Sequence, residues 1–166
     1  MPDWIVHLGV AWIISEILRM EKGNRAIFLV GSLLPDLLNK LEYPLSYLIG
    51  WQNASNITAA THIPFTVLML CFLAALFFEN SYAKTLLLLI AGSLAHFLLD
   101  MLMWPWPEGV GGVMWFWPLS WQGFKFGILW PESILPDIAV IAIIILLLLV
   151  KNRNKLFGKR ASLLTS

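Results

Sequence analysis

The chain has 166 residues, of which 59% are hydrophobic and only 13% are charged. Soluble domains average about 25% charged and about 45–50% apolar residues, so this composition excludes a disordered chain and an ordinary water-soluble enzyme. A net charge of +1 offers no polyanion-binding surface, which argues against nucleic acid as a partner, and the single cysteine, Cys71, excludes an internal disulfide and a cysteine-based zinc finger.

Five apolar stretches follow in chain order, at residues 4–18, 26–38, 57–78, 85–104 and 134–150. A helix needs about 20 residues to cross a bilayer core of ~30 Å. The last three stretches have that length. The first two are short, and are expected to tilt little, to thin the bilayer or to insert halfway. Backbone polar groups cannot face lipid unpaired, so only helices or closed barrels span membranes. The run 139–150 holds no polar residue, which excludes the alternation of a barrel strand. The expected fold class is therefore an all-α integral membrane protein. It is a bundle of about five transmembrane helices, or four if the first hairpin is re-entrant. Residues 1–150 form one transmembrane domain, and residues 151–166 form a basic tail.

The first stretch carries Asp3 and no Lys or Arg ahead of it, and its basic residues Arg19, Lys22 and Arg25 come after. That is the pattern of an uncleaved anchor with its N-terminus outside, not of a cleavable signal peptide. With five spans in this sense, nine of the basic residues fall on the cytoplasmic side and only Lys40 and Lys125 fall outside. The positive-inside rule then predicts a cytoplasmic C-terminus. The outer segment 105–133 contains Trp106, Trp115, Trp117, Trp121 and Trp130. Indole rings favour the headgroup level, so this Trp-rich loop is expected to lie in the outer interface.

Ionisable groups inside spans are expensive and are functional candidates by default. Here they are His7, Glu16, Asp36, His62, His96, Asp100 and Asp137. Glu16 lies beside Arg19 at the inner end and reads as a paired interfacial residue. Counted from the inner charged anchors at 1.5 Å per residue, the other six lie about 16–25 Å up. They form one layer in the outer half of the bilayer, contributed by five helices. His96 and Asp100 are spaced i, i+4 and share one helix face. Neutral imidazole plus carboxylate is a ligand pair suited to zinc, manganese or iron.

Each residue also has a plainer reading. His7 is explained by a hydrogen bond between helices, His62 by the helix start before Pro64, and Asp36 and Asp137 by capping after Pro35 and Pro136. Together, all three histidines and three aspartates at one depth point to a metal centre. A short echo, Ser32-Leu33-Leu34-Pro35-Asp36 against Ser133-Ile134-Leu135-Pro136-Asp137, suggests two carboxylates at equivalent helix kinks.

Several pieces carry a resemblance. They are His7, the segment Gly31–Asp36 (Gly-x-x-Leu-Pro-Asp), Thr61-His62, the segment Gly92–Asp100 (Gly-x-x-x-His-x-x-x-Asp), and the run from Gly109 to Pro118. In this order the chain resembles the bacterial and archaeal inner-membrane metal-dependent hydrolases of the YdjM/YbcI type. The His and Asp positions are similar in style to those of zinc-dependent phospholipase C, an all-α protein with a metal cluster. Where the family carries a further acidic residue and a His after Pro-Asp, this chain has Leu37-Leu38-Asn39.

The resemblance implies a prokaryotic inner-membrane location and a divalent metal cofactor, zinc first and manganese or iron next, with one to three ions. It implies His7, Asp36, His62, His96 and Asp100 as metal ligands, with Asp137 a further ligand or the general base. The function expected is hydrolysis of a lipid phosphoester by metal-activated water, the lipid entering laterally beneath the Trp-rich loop. Ester or amide cleavage suits the same site. The alternative is a non-catalytic membrane protein with a structural metal or a hydrogen-bonded polar layer. A transporter needs polar groups through the full depth, and the inner half offers only Glu16.

Overall fold

The computed structural model describes residues 4–49, 63–102, 113–128 and 135–164, with their side chains except at 38–47, 49 and 153–164. The described residues form five helices: α1 (Trp4–Ile17), α2 (Lys22–Ile49), α3 (Pro64–Ala75), α4 (Tyr82–Met101) and α5 (Leu135–Leu164). No strand occurs among them. A single antiparallel bridge joins Val113 and Phe124. The chain divides into two compact units, Met1–Ser133 with α1 to α4 and Ile134–Ser166 with α5.

Two helices are long and apolar enough to cross a membrane, Tyr82–Met101 and the Leu135–Asn152 part of α5, while α1 and α3 are apolar but shorter. The stretch expected at 26–38 lies inside α2, which runs for 28 residues and continues through Pro35. The stretch expected at 57–78 is described only from residue 63, and its helix spans 12 residues. Helix α5 does not stop at Val150 but carries on through the basic residues of the tail.

Within the first unit α2 and α4 form the most extensive helix pair, with α1 and α3 each packed against both. An apolar core around Val67, Leu89 and Phe97 is present, but many large apolar side chains also face outward. Leu8, Ile17, Leu73, Phe77, Leu87 and Leu98 stand exposed, whereas Ser15, Ser32, Thr85 and Ser93 are buried. Such an arrangement suits lipid, which solvates large apolar side chains and leaves polar groups to pair inside the bundle.

The helix ends follow from local chemistry. Helix α1 closes with Met20 N–H donating to Ser15 C=O and Arg19 N–H to Glu16 C=O. Arg19 takes φ 52° in the left-handed region, where glycine is usual. The turn directs the chain back so that Arg25 of α2 pairs with Glu16 and donates to the Met20 carbonyl. Glu16 thus pairs with Arg25. Helix α3 begins with Pro64, whose missing N–H is no loss in a first turn. At the C-terminus of α4 the backbone carbonyls of Met101 and Leu102 accept from Phe126 and Ile128, which fastens the 113–128 segment to the helix end.

Candidate metal centre

The close contact of α2 and α4 is built on two glycines. A Cβ at Gly31 would collide with the backbone of Leu89, and one at Gly92 would collide with the backbone of Phe28 and Ser32. Small residues let helix backbones approach in this way. The approach is needed because of Pro35. Proline has no N–H, so the carbonyl of Gly31, four residues earlier, loses its helical donor. In an apolar interior that loss must be made good. Ser93 of α4 does so, its hydroxyl donating to the Gly31 carbonyl at 2.9 Å.

One turn beyond Gly92, His96 meets the next carbonyl of α2. Its Nδ1 lies 2.8 Å from the Ser32 carbonyl oxygen. A carbonyl can only accept, so Nδ1 carries the proton and Nε2 keeps its lone pair. A hydrogen bond on the far nitrogen is how proteins orient a ligating imidazole. The Nε2 of His96 lies 3.2 Å from Asp100 Oδ2 and 3.9 Å from Asp36 Oδ1. Helix α1 adds His7, whose Nε2 lies 3.4 Å from Asp100 Oδ1. The two imidazoles stack, with centroids 3.8 Å apart and planes 16° from parallel.

All four groups are withdrawn from solvent, with relative exposures of 1% for His7, 0% for Asp36, 1% for His96 and 8% for Asp100. His7 makes no hydrogen bond to a described residue through either ring nitrogen. A buried imidazole without such a bond costs about 1–3 kcal/mol. A divalent cation would use these lone pairs and offset the buried carboxylate charge together. One ligand atom from each of His7, His96 and Asp100 lies within 4.8 Å of the others. The donor set of imidazole nitrogens and carboxylate oxygens therefore fits zinc, manganese or iron.

The structure thus gathers four of the six sequence candidates, His7, Asp36, His96 and Asp100, from three helices. His62 lies outside the described residues. Asp137 belongs to the second unit, in the first turn of α5. The echo between residues 32–36 and 133–137 does not give equivalent kinks. Asp36 stands in the interior of α2, and Asp137 stands at a helix start. The interior position also removes the capping explanation for Asp36, while a first-turn carboxylate such as Asp137 complements the helix dipole.

Sequence reasoning passed over Ser93 and the Ser32 carbonyl. The signal for both is Pro35, which exposes the Gly31 carbonyl and calls for a donor on a neighbouring helix.

No curated protein and no solved structure matches the chain. The family model described as YdjM inner membrane protein matches residues 4–165. With nearly its whole length matched, and with apolar helices enclosing a polar His–Asp cluster, the chain belongs to the YdjM inner membrane protein family.

Proposed function

We propose that the chain is a membrane-embedded, metal-dependent hydrolase that cleaves a phosphoester of a lipid. The observation that carries this reading is the buried His7–His96–Asp100 group beside Asp36, with the His96 Nδ1 proton held by Ser32. Zinc suits the donors best, with manganese or iron next, as one to three ions. His7, Asp36, His96 and Asp100 hold the cation, with His62 the further candidate. When bound, the cation supplies Lewis acidity, which polarises a phosphoryl oxygen and brings the pKa of a coordinated water to ~7.

The protein's own part is orientation and dryness. Ser32 fixes the tautomer of His96. Asp100 faces both imidazoles through its two oxygens. The apolar helices keep bulk water away, which strengthens every charge interaction inside. In the bilayer, the four or five spans run with the N-terminus outside and the basic tail in the cytoplasm. The site then lies in the outer half, where a lipid enters from the side.

The test is release of phosphate or headgroup from a panel of lipid phosphoesters by the metal-loaded protein in detergent, beside His96→Gln. Metal-dependent release that is lost in His96→Gln and on chelation supports the reading. Stoichiometric metal with no release from any lipid favours a structural metal. Absence of metal favours a hydrogen-bonded polar layer, in which the imidazoles serve Asp100 alone.

A further inference from the structure

A second feature lies beside Phe97, near the His–Asp cluster. Between α3 and α4, beneath Trp115 and Trp117, is a cavity of about 350 Å³. Its walls are almost wholly apolar, with Val67, Cys71 and Phe97 among them. Of the polar groups that line it, those of Ser93, Cys71 and Trp115 are engaged, and the buried indole N–H of Trp117 makes no hydrogen bond to a described residue. Ser93 donates to the Gly31 carbonyl, and the Cys71 sulfur lies 3.5 Å from the Ser93 oxygen. The cavity therefore offers mainly hydrocarbon contact with a single indole donor, which is too little hydrogen bonding for a sugar or nucleotide and suits an apolar chain with at most one acceptor near Trp117.

Two of the cavity's lining side chains, Phe65 and Leu94, are 47% and 43% exposed and belong to the apolar outer surface of the bundle. The cavity is thus continuous with the face that a membrane protein turns to lipid. Its buried lining includes Val67, Cys71 and Phe97, the last 2% exposed. The Phe97 ring meets His96 edge-on at 5.8 Å and Trp115 at 5.9 Å between centroids. The ring that lines the cavity thus also touches the imidazole of His96. Trp115 is held over the cavity by an indole N–H donated to the Met101 sulfur at 3.2 Å.

We propose that this cavity is an acyl-chain site, which takes one hydrocarbon chain of a membrane phospholipid and so seats the lipid beside His96. The proposal rests on the lipid-hydrolase reading for what the seated lipid is for. The binding itself needs neither metal nor turnover. Burial of methylene groups drives it, at ~0.8 kcal/mol for each one transferred from water. From bilayer the gain is smaller and comes from shape and packing.

The experiment is photo-crosslinking in vesicles of phosphatidylcholine and phosphatidylglycerol, with a phosphatidylcholine probe carrying a diazirine within its acyl chain. The labelled peptides are read by mass spectrometry. The expected result is label concentrated on the 64–71 and 90–97 peptides and on Trp115. Leu68→Trp and Leu94→Trp, each alone, fill the cavity and cut that label about tenfold, one decade of occupancy. Leu87→Trp, outside the cavity, leaves it unchanged.

Leu94→Trp lies at the half-exposed rim and decides the matter if Leu68→Trp does not fold. Label spread evenly over the outward faces and indifferent to Leu94→Trp would overturn the proposal. So would a cavity filled by another part of the chain or by a second copy, which would give no label there. Asp100→Asn keeps the two readings apart. Crosslinking that persists in this variant retains the acyl site independently of the metal, while crosslinking in a metal-loaded wild type that turns over no phosphoester retains the acyl site and rejects the hydrolase.

Discussion

Ser93 shows how much one hydroxyl does here. It supplies the donor that Pro35 withholds from the Gly31 carbonyl, in a setting where water is not at hand. Ser93→Ala leaves that carbonyl unsatisfied and is expected to cost about 1–3 kcal/mol, read as a lower thermal midpoint in detergent. The effect should depend on Pro35. Pro35→Ala restores the N–H that the Gly31 carbonyl lacks, so Ser93→Ala should cost less in that background, by about 1 kcal/mol. Equal costs in both backgrounds would sever the link between proline and serine. Histidine positions were readable from the sequence as polar residues in apolar runs. What those runs do not show is the partner of each nitrogen, because His96 is oriented by the backbone of a residue 64 positions away.

At the scale of elements, the crossing of α2 and α4 sets the site. Gly92→Ala places a methyl group against the backbone of Phe28 and Ser32, so the helices must separate. Overpacking of this kind costs about 1–3 kcal/mol. It also draws His96 from Ser32, so metal affinity should fall further than the thermal midpoint suggests. A variant with normal metal content would show that the His96–Ser32 bond is dispensable.

The end of α1 gives a prediction of opposite sign. Arg19 has φ 52°, and a left-handed conformation costs an L-residue roughly 1–2 kcal/mol. Arg19→Gly should therefore raise the midpoint, while Arg19→Val should lower it. Helix existence was legible in the apolar runs, but helix limits were not. Pro35 and the polar residues after it suggest an end near Leu38, yet α2 continues to Ile49. Pro35 is tolerated within α2 because a neighbouring helix satisfies the freed carbonyl, and no single-helix pattern carries that information.

For the whole molecule, membership of an inner membrane protein family and the outward-facing apolar side chains agree with a place in lipid, and the charge pattern sets its expected orientation. Single-cysteine reporters, made with Cys71 replaced by Ala, check it. Ser120→Cys should react with an impermeant maleimide added to intact cells, and Lys22→Cys should not. Reaction at Lys22→Cys alone would invert the topology. Counting residues along each span puts His7, Asp36, His62, His96, Asp100 and Asp137 at one height; in the structure His7, Asp36, His96 and Asp100 lie together, while His62 lies outside the described residues and Asp137 belongs to the second unit. Depth alone did not tell which helices are neighbours. The glycines that pair α2 with α4 decide that.

We propose the buried His–Asp cluster as a metal centre, and elemental mass spectrometry of the detergent-purified protein checks for the ion itself. The account predicts stoichiometric zinc, manganese or iron in the wild type, lost in Asp100→Asn while that variant remains monodisperse. A wild-type protein that carries no metal, even after zinc is added back, would contradict it.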